Sequence, residues 1–168
     1  DIPAGKKFVM QPTPSNKVLI APYEAKQIYM VQYSNRGEKF NPEVEPIRSL
    51  YNEYFGGGMN SIVFQEMRES RGLAYSAWAG IVTGGKVIYP YTVQTQIATQ
   101  NDKMMDAIKT FNDIINNMPE SEAAFKLAKE GIISRLRTDR IIKDNILWSY
   151  IYAQDMGMNV DKRIKQYN

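Results

Sequence analysis

FGGGMNSIVFQEMRESRGLAYS, Phe55 to Ser76, is the stretch on which the fold turns. Three consecutive glycines stop one helical pattern and a second begins within a few residues. An arginine-bearing turn then leads into an aromatic strand. A phosphate loop needs G-x-x-x-x-G-K-[ST], and no lysine follows Gly58 before Lys86. A dinucleotide fingerprint needs its glycines after a strand, and a helical pattern precedes these. The plain structural reading is that Gly56, Gly57 and Gly58 form a corner. Glycine reaches positive φ at a helix C-cap and lets the next helix fold back sharply.

Upstream, Asp1 to Asn16 holds Pro3, Pro12 and Pro14 among polar residues and reads as a linker or entering arm. Lys17 to Ala21 (KVLIA) is a short apolar run expected to be a strand. Gln27 to Ser34 (QIYMVQYS), rich in aromatic and β-branched residues, reads as a second. A helix begins near Asn41 or Glu45, with Pro42 and Pro46 in a first turn where no intrahelical donor is lost. Ile47, Leu50, Tyr51 and Tyr54 follow at helical spacing. After the glycines a second helix is expected over Asn60 to Ser70, with Ile62, Val63, Phe64 and Met67 inward.

Downstream, Ala74 to Ile81 alternates as a strand. Thr83 to Lys86 reads as a hairpin turn, and Val87 to Thr99 returns, with Pro90 marking an edge or a strand start. Val87, Tyr89, Tyr91, Val93, Thr95 and Ile97 would share one face. Thr92, Gln94 and Gln96 on the other leave one side of the sheet for solvent or a partner. Trp78 is expected in the core. Asn101 and Ser121 are placed to cap two further helices, and a last helix is expected near Asn145 to Met156. The tail from Asp161 shows no strong terminal element. The order of elements specifies a two-layer α+β domain over residues 17–168, a mostly antiparallel sheet with helices on one face.

Composition excludes several function classes. The 168 residues carry a formal charge of +3, with both signs interleaved. A nucleic-acid interface needs a concentrated basic face, and Arg135, Arg137, Arg140 and Lys143 alternate with Asp139 and Asp144 as a solvated helix face. No apolar run is long enough to span a membrane. The chain has neither histidine nor cysteine, so no zinc site of the usual kind can be built from it alone. Its carboxylates are too scattered for a magnesium or calcium loop. The compartment is left open, periplasmic or cytoplasmic. The chain begins at Asp1 and not at Met, as a mature form or an excised piece would.

The full string does more than punctuate helices. Gly56, Gly57, Gly58, Met59, Ser61, Phe64, Gln65, Glu66, Arg68, Gly72, Leu73, Ala74 and Tyr75 together closely resemble the corner of the non-catalytic homologous domains of insulinase/pitrilysin-type, inverted-motif zinc metallopeptidases. The order of elements fits from about Gln27 to Met158. The resemblance implies the half-fold known from mitochondrial processing peptidase, with two similar α+β halves around a closed chamber. One half holds zinc on an H-x-x-E-H helix, and the other is a degenerate copy that helps hold the peptide. Here the corresponding helix reads IRSLYNEY, Ile47 to Tyr54, without histidine.

The resemblance therefore implies a domain with no cofactor of its own. Its partner would be a homologous catalytic half, in the same chain or a separate subunit, that carries the zinc, and its ligand a peptide substrate. It also implies that the family domain continues past the equivalent of Asn168. By motif position, Arg68 and Tyr75 match the arginine and tyrosine that this half points at the substrate. No catalytic residue is expected within the chain alone. A scaffold relative that kept the fold and lost the peptidase role is the rival expectation.

Overall fold

The computed structural model describes residue 3, residues 5–6 and residues 8–161. Three strands form one antiparallel sheet in the order β1-β3-β2: β1 is Gln27–Ser34, β2 Ser76–Val82 and β3 Thr92–Gln100. Gln27 faces Gln100 across β1 and β3, and Ala77 faces Ile97 across β2 and β3. Helices cover one face: α1 Glu45–Phe55, α2 Ile62–Phe64 and α3 Met104–Asn116 pack on the strands, and α4 Glu122–Thr138 packs on α1. α5, Asn145–Asp155, follows them. The α+β class and antiparallel sheet expected from the element order are what the chain forms.

The core lies between sheet and helices. Met67, Phe111, Val63 and Ile97 are essentially sealed from solvent and meet Phe55, Ile62, Ala77, Ala79, Ala107 and Ile114. Residues alternate along each strand. Ala77, Ala79 and Ile97 point into this core, and the outer face carries exposed Tyr29, Val31 and Tyr33. Trp78, expected in the core, alternates with Ala77 and Ala79. It therefore lies on the outer face, half-buried. A second, smaller cluster joins Phe40, Tyr91 and Met156.

The two edges of the sheet are treated differently. α1 lies along β2, and the Asn52 side chain bonds the Ile81 main chain there. Among the described residues β1 pairs only with β3, and its outer edge has no strand neighbour. The entering arm reaches it at one point: Thr13 Oγ1 accepts from the Asn35 amide at 2.9 Å, and the Asn35 side chain donates to the Gln11 carbonyl at 2.9 Å.

Several expectations give way to the structure. Lys17–Ala21 is not a strand. It is irregular and its apolar side chains stand in solvent, Leu19 at 92% exposure. Strand-forming composition makes a strand only when the segment pairs, and among the described residues this run joins neither edge of the sheet. The return strand begins at Thr92, not Val87, and residues 83–91 form a loop in place of a tight hairpin turn. Pro90 cannot donate to a ladder. It makes only an isolated bridge with Lys39, while the Tyr91 amide donates to the Glu38 carbonyl.

Other differences are smaller. Ile47 is exposed, since α1 buries Phe55 and packs Tyr51 and Tyr54 against the core. Asn101 makes no capping bond, the helix there opening instead with a 3-10 turn. Ser121 does cap α4, accepting from the Ala124 amide. Arg135 is not merely solvated: it bonds Glu53 of α1 at 2.7 Å. The tail Lys162–Asn168 and residues 1, 2, 4 and 7 of the arm lie outside the described residues.

Candidate functional site

The glycine corner works by closeness, not by left-handed backbone. Gly56 has φ −145°, and the glycines at positive φ are Gly37, Gly72, Gly85 and Gly157. A β-carbon on Gly56 would overlap the main chain of Ala79, and one on Gly57 would sit 2.7 Å from the Asn52 carbonyl oxygen. The corner is where helix backbone meets strand backbone with nothing between. Gly56 does cap α1, its amide donating to the Asn52 carbonyl at 3.1 Å, but without the positive φ expected there. What demands glycine is the closeness to Ala79, which the sequence alone does not show.

From the corner the chain is aimed step by step. The Ser61 hydroxyl donates to the Gly58 carbonyl at 2.6 Å and caps the new helix at the Phe64 amide. The helix then widens into a π turn over Gln65–Glu69, and the Ser70 amide donates to the Gln65 carbonyl at 2.8 Å. Such widened turns are frequent at functional sites because they re-aim a side chain. Here the turn buries Met67 fully and lifts its neighbour Arg68 to the surface. Gly72, at φ +57°, reverses the chain, and the Tyr75 amide then docks on the Ala98 carbonyl at 2.8 Å.

Arg68 and Tyr75, singled out by motif position, come together. The Arg68 guanidinium carbon lies 5.7 Å from the Tyr75 ring centroid and 5.1 Å from that of Phe64, within cation–π range of both. Tyr75 is 69% exposed. Glu69 Oε1 stands 3.6 Å from Arg68 Nε, a loose pairing between two half-exposed groups. Arg71 reaches Glu66 at 3.3 Å.

Arg68 and Tyr75 line one shallow cavity of about 280 Å³ at the end of the sheet. Gln27 opens β1 there, Gln100 closes β3, and Leu73 and Thr99 contribute to the wall. Lys103 also lines it, its ammonium donating to the Gly72 carbonyl at 3.1 Å. Sequence reasoning missed Lys103, Gln27, Gln100 and the stacking role of Phe64. One signal was present for Lys103. A lysine at the start of a helix opposes the helix dipole, which asks for a local reason. A larger cavity, about 730 Å³, lies between the end of α4 and α5 and holds neither Arg68 nor Tyr75.

The usual zinc-ligating set is missing. The chain lacks histidine and cysteine, and among the described residues no three acids gather where a cation could sit. On α1, at the helix expected to have lost its metal motif, Arg48 and Asn52 instead both donate to the Ile81 carbonyl, at 2.7 and 2.9 Å. Among the described residues no helix is long and apolar enough to cross a membrane.

Comparison with solved structures gives the same architecture. The peptidase M16 inactive domain from Pseudomonas fluorescens matches over 87% of this chain and 35% of its own, at TM-score 0.60 and 16% identity. The inactive peptidase domain of a candidate zinc protease from Bordetella parapertussis matches over 84% of this chain and 76% of its own, at TM-score 0.61 and 9% identity. A conserved protein from Enterococcus faecalis V583 matches over 83% of this chain and 33% of its own, at TM-score 0.50 and 15% identity. This chain thus spans about a third of the Pseudomonas and Enterococcus chains. No curated protein matches it. The family model for the peptidase M16 inactive domain matches residues 3–132, which is most of the sequence, so the chain belongs to the peptidase M16 inactive domain family.

Proposed function

We propose that this chain is the substrate-holding, zinc-free half of an inverted-motif zinc metallopeptidase, in which Arg68 and Tyr75 steady the charge that forms on the scissile carbonyl. The metal and the base that attack the peptide would belong to a homologous partner half, on the same chain or another. The observation that carries the reading is the meeting of Arg68 and Tyr75 on one cavity at the rim of the sheet, in a chain of this family.

The chemistry follows from what the two groups can donate. As a peptide carbonyl is attacked, negative charge grows on its oxygen. Donors already aimed at that oxygen, in a site from which the partner half excludes water, lower the barrier without reorganising. A guanidinium is always charged and offers several N–H donors. A phenol offers one O–H. The rings of Phe64 and Tyr75 beside the guanidinium restrict its swing, so the donor is oriented before the charge appears. The outer edge of β1 supports holding an extended peptide by main-chain pairing, and a peptide laid there reaches the cavity at Gln27.

The test is reconstitution. The zinc-bearing half of the parent protein is assayed for peptide cleavage alone and with this chain added. Cleavage that needs both halves is the expected result. Cleavage at the same rate without this chain would make it a scaffold relative that kept the fold and lost the role.

A further inference from the structure

We infer that the Arg68–Tyr75 cavity selects its ligand by charge and takes a peptide carboxylate, the side chain of an acidic residue, with Lys103 as its second cation. This rests on the reading above that the cavity holds peptide, and adds the class of peptide.

The lining carries two cations, Arg68 and Lys103, one phenol and the amides of Gln27 and Gln100, with no aspartate or glutamate among them. Basic and acidic residues are nearly balanced in the whole chain, 21 to 18, so the excess is local to the cavity. Gln27 and Gln100 face each other across β1 and β3.

Lys103 is fixed by one bond, to the Gly72 carbonyl in the turn joining Arg68 to Tyr75. An ammonium has three donors, so two are left for a ligand. The lysine stands at the start of α3, where positive charge is disfavoured by the helix dipole. A carboxylate bound beside it relieves that opposition and takes part of the donor set of Arg68, whose five N–H groups suffice for a carboxylate and the carbonyl together. Asp102 and Asp106 lie in the first turns beside Lys103, and among the described residues neither is ion-paired with it. The two anions on the π turn beside Arg68 are poor rivals. Glu66 is engaged by Arg71 at 3.3 Å, and Glu69 stands 3.6 Å from Arg68 Nε, in solvent.

The experiment uses the whole chain, labelled with ¹⁵N, and two blocked five-residue alanine peptides, one with a central glutamate and one with glutamine. Amide shifts of Gly72 and Gln100 report binding at low salt. The glutamate peptide should bind about threefold to tenfold tighter, the range for partly exposed charge-assisted contacts, and the difference should shrink at high salt. Lys103→Gln, which retains a donor for Gly72, should remove most of the preference, and Lys103→Arg should retain it. Equal affinity for the two peptides, or a preference that survives Lys103→Gln, overturns the inference and leaves the peptide-holding reading standing. Absence of any shift at Gly72 and Gln100 with either peptide overturns both.

Discussion

The side-chain amide of Asn52 pairs with the main chain of Ile81 in both directions, accepting from its amide at 2.8 Å and donating to its carbonyl at 2.9 Å. A side chain on α1 thereby stands in for the strand that β2 lacks on its outer side. An unpaired strand edge is a site for unwanted association, and here a helix closes it. The same contact fixes α1 against β2. That sets the glycine corner, and the corner sets the turn that lifts Arg68 towards Tyr75.

Asn52→Ala should therefore cost about 2 kcal/mol, since two part-buried bonds are lost and the Ile81 groups lose a partner. Urea denaturation of the two proteins measures it. A change within error would mean that Arg48, which donates to the same carbonyl at 2.7 Å, holds the edge by itself.

The corner makes a sharper prediction. Gly56→Ala forces a β-carbon into the Ala79 main chain. With no flexible side chain to give way, the loss should exceed about 3 kcal/mol, at the severe end for single substitutions. Gly58→Ala places its β-carbon 3.6 Å from the Glu53 carboxylate, an ordinary contact, and should change stability by less than about 1 kcal/mol. Equal effects of the two substitutions would contradict the close-approach explanation.

Stability should fall at alkaline pH, partly through Tyr91. Its ring is buried and its hydroxyl donates to the Asn41 carbonyl at 3.0 Å, with Glu45 Oε1 at 3.2 Å. Burial, opposed by the Asn41 bond and aided by the Glu45 carboxylate, pushes the phenol above its ordinary value. Unfolded tyrosine ionises near about pH 10. The contribution of the neutral phenol is thus fully present below that pH and is lost as pH rises through the higher folded value. Unfolding free energy measured from pH 9 to 11 should decline, and Tyr91→Phe should flatten the decline. Burial raises Tyr51 as well, so some slope should remain.

Much of this was legible in the sequence because local signals and tertiary demands agree. β1 runs where QIYMVQYS alternates, α1 stops at the glycines, and Ser121 caps α4. The failures occur where a segment's fate depends on a distant neighbour. Lys17–Ala21 has strand composition but joins neither edge of the sheet. Val87 and Ile88 read as strand but lie in a loop that Pro90 keeps out of the ladder. Gly56 reads as a cap and is one, but glycine is required there by contact with Ala79, 23 residues away in sequence. Arg68 and Tyr75 were legible through a long motif, whereas Lys103 enters their cavity by folding and has no motif to announce it.

Metal content is a direct check on the proposed division of labour. With no histidine or cysteine, the purified chain incubated with zinc and desalted should carry well under one equivalent by elemental analysis. Stoichiometric zinc would mean that carboxylates gather in a way the described residues do not.

The role of Arg68 and Tyr75 is tested most directly by the kinetics of Tyr75→Phe in the reassembled two-half enzyme. On the proposed role, in which Tyr75 donates to the developing oxyanion, removing its hydroxyl should lower kcat by about tenfold to a thousandfold, the loss of one such donor at the upper end, with KM nearly unchanged. An unchanged kcat, or a loss confined to KM, would contradict it.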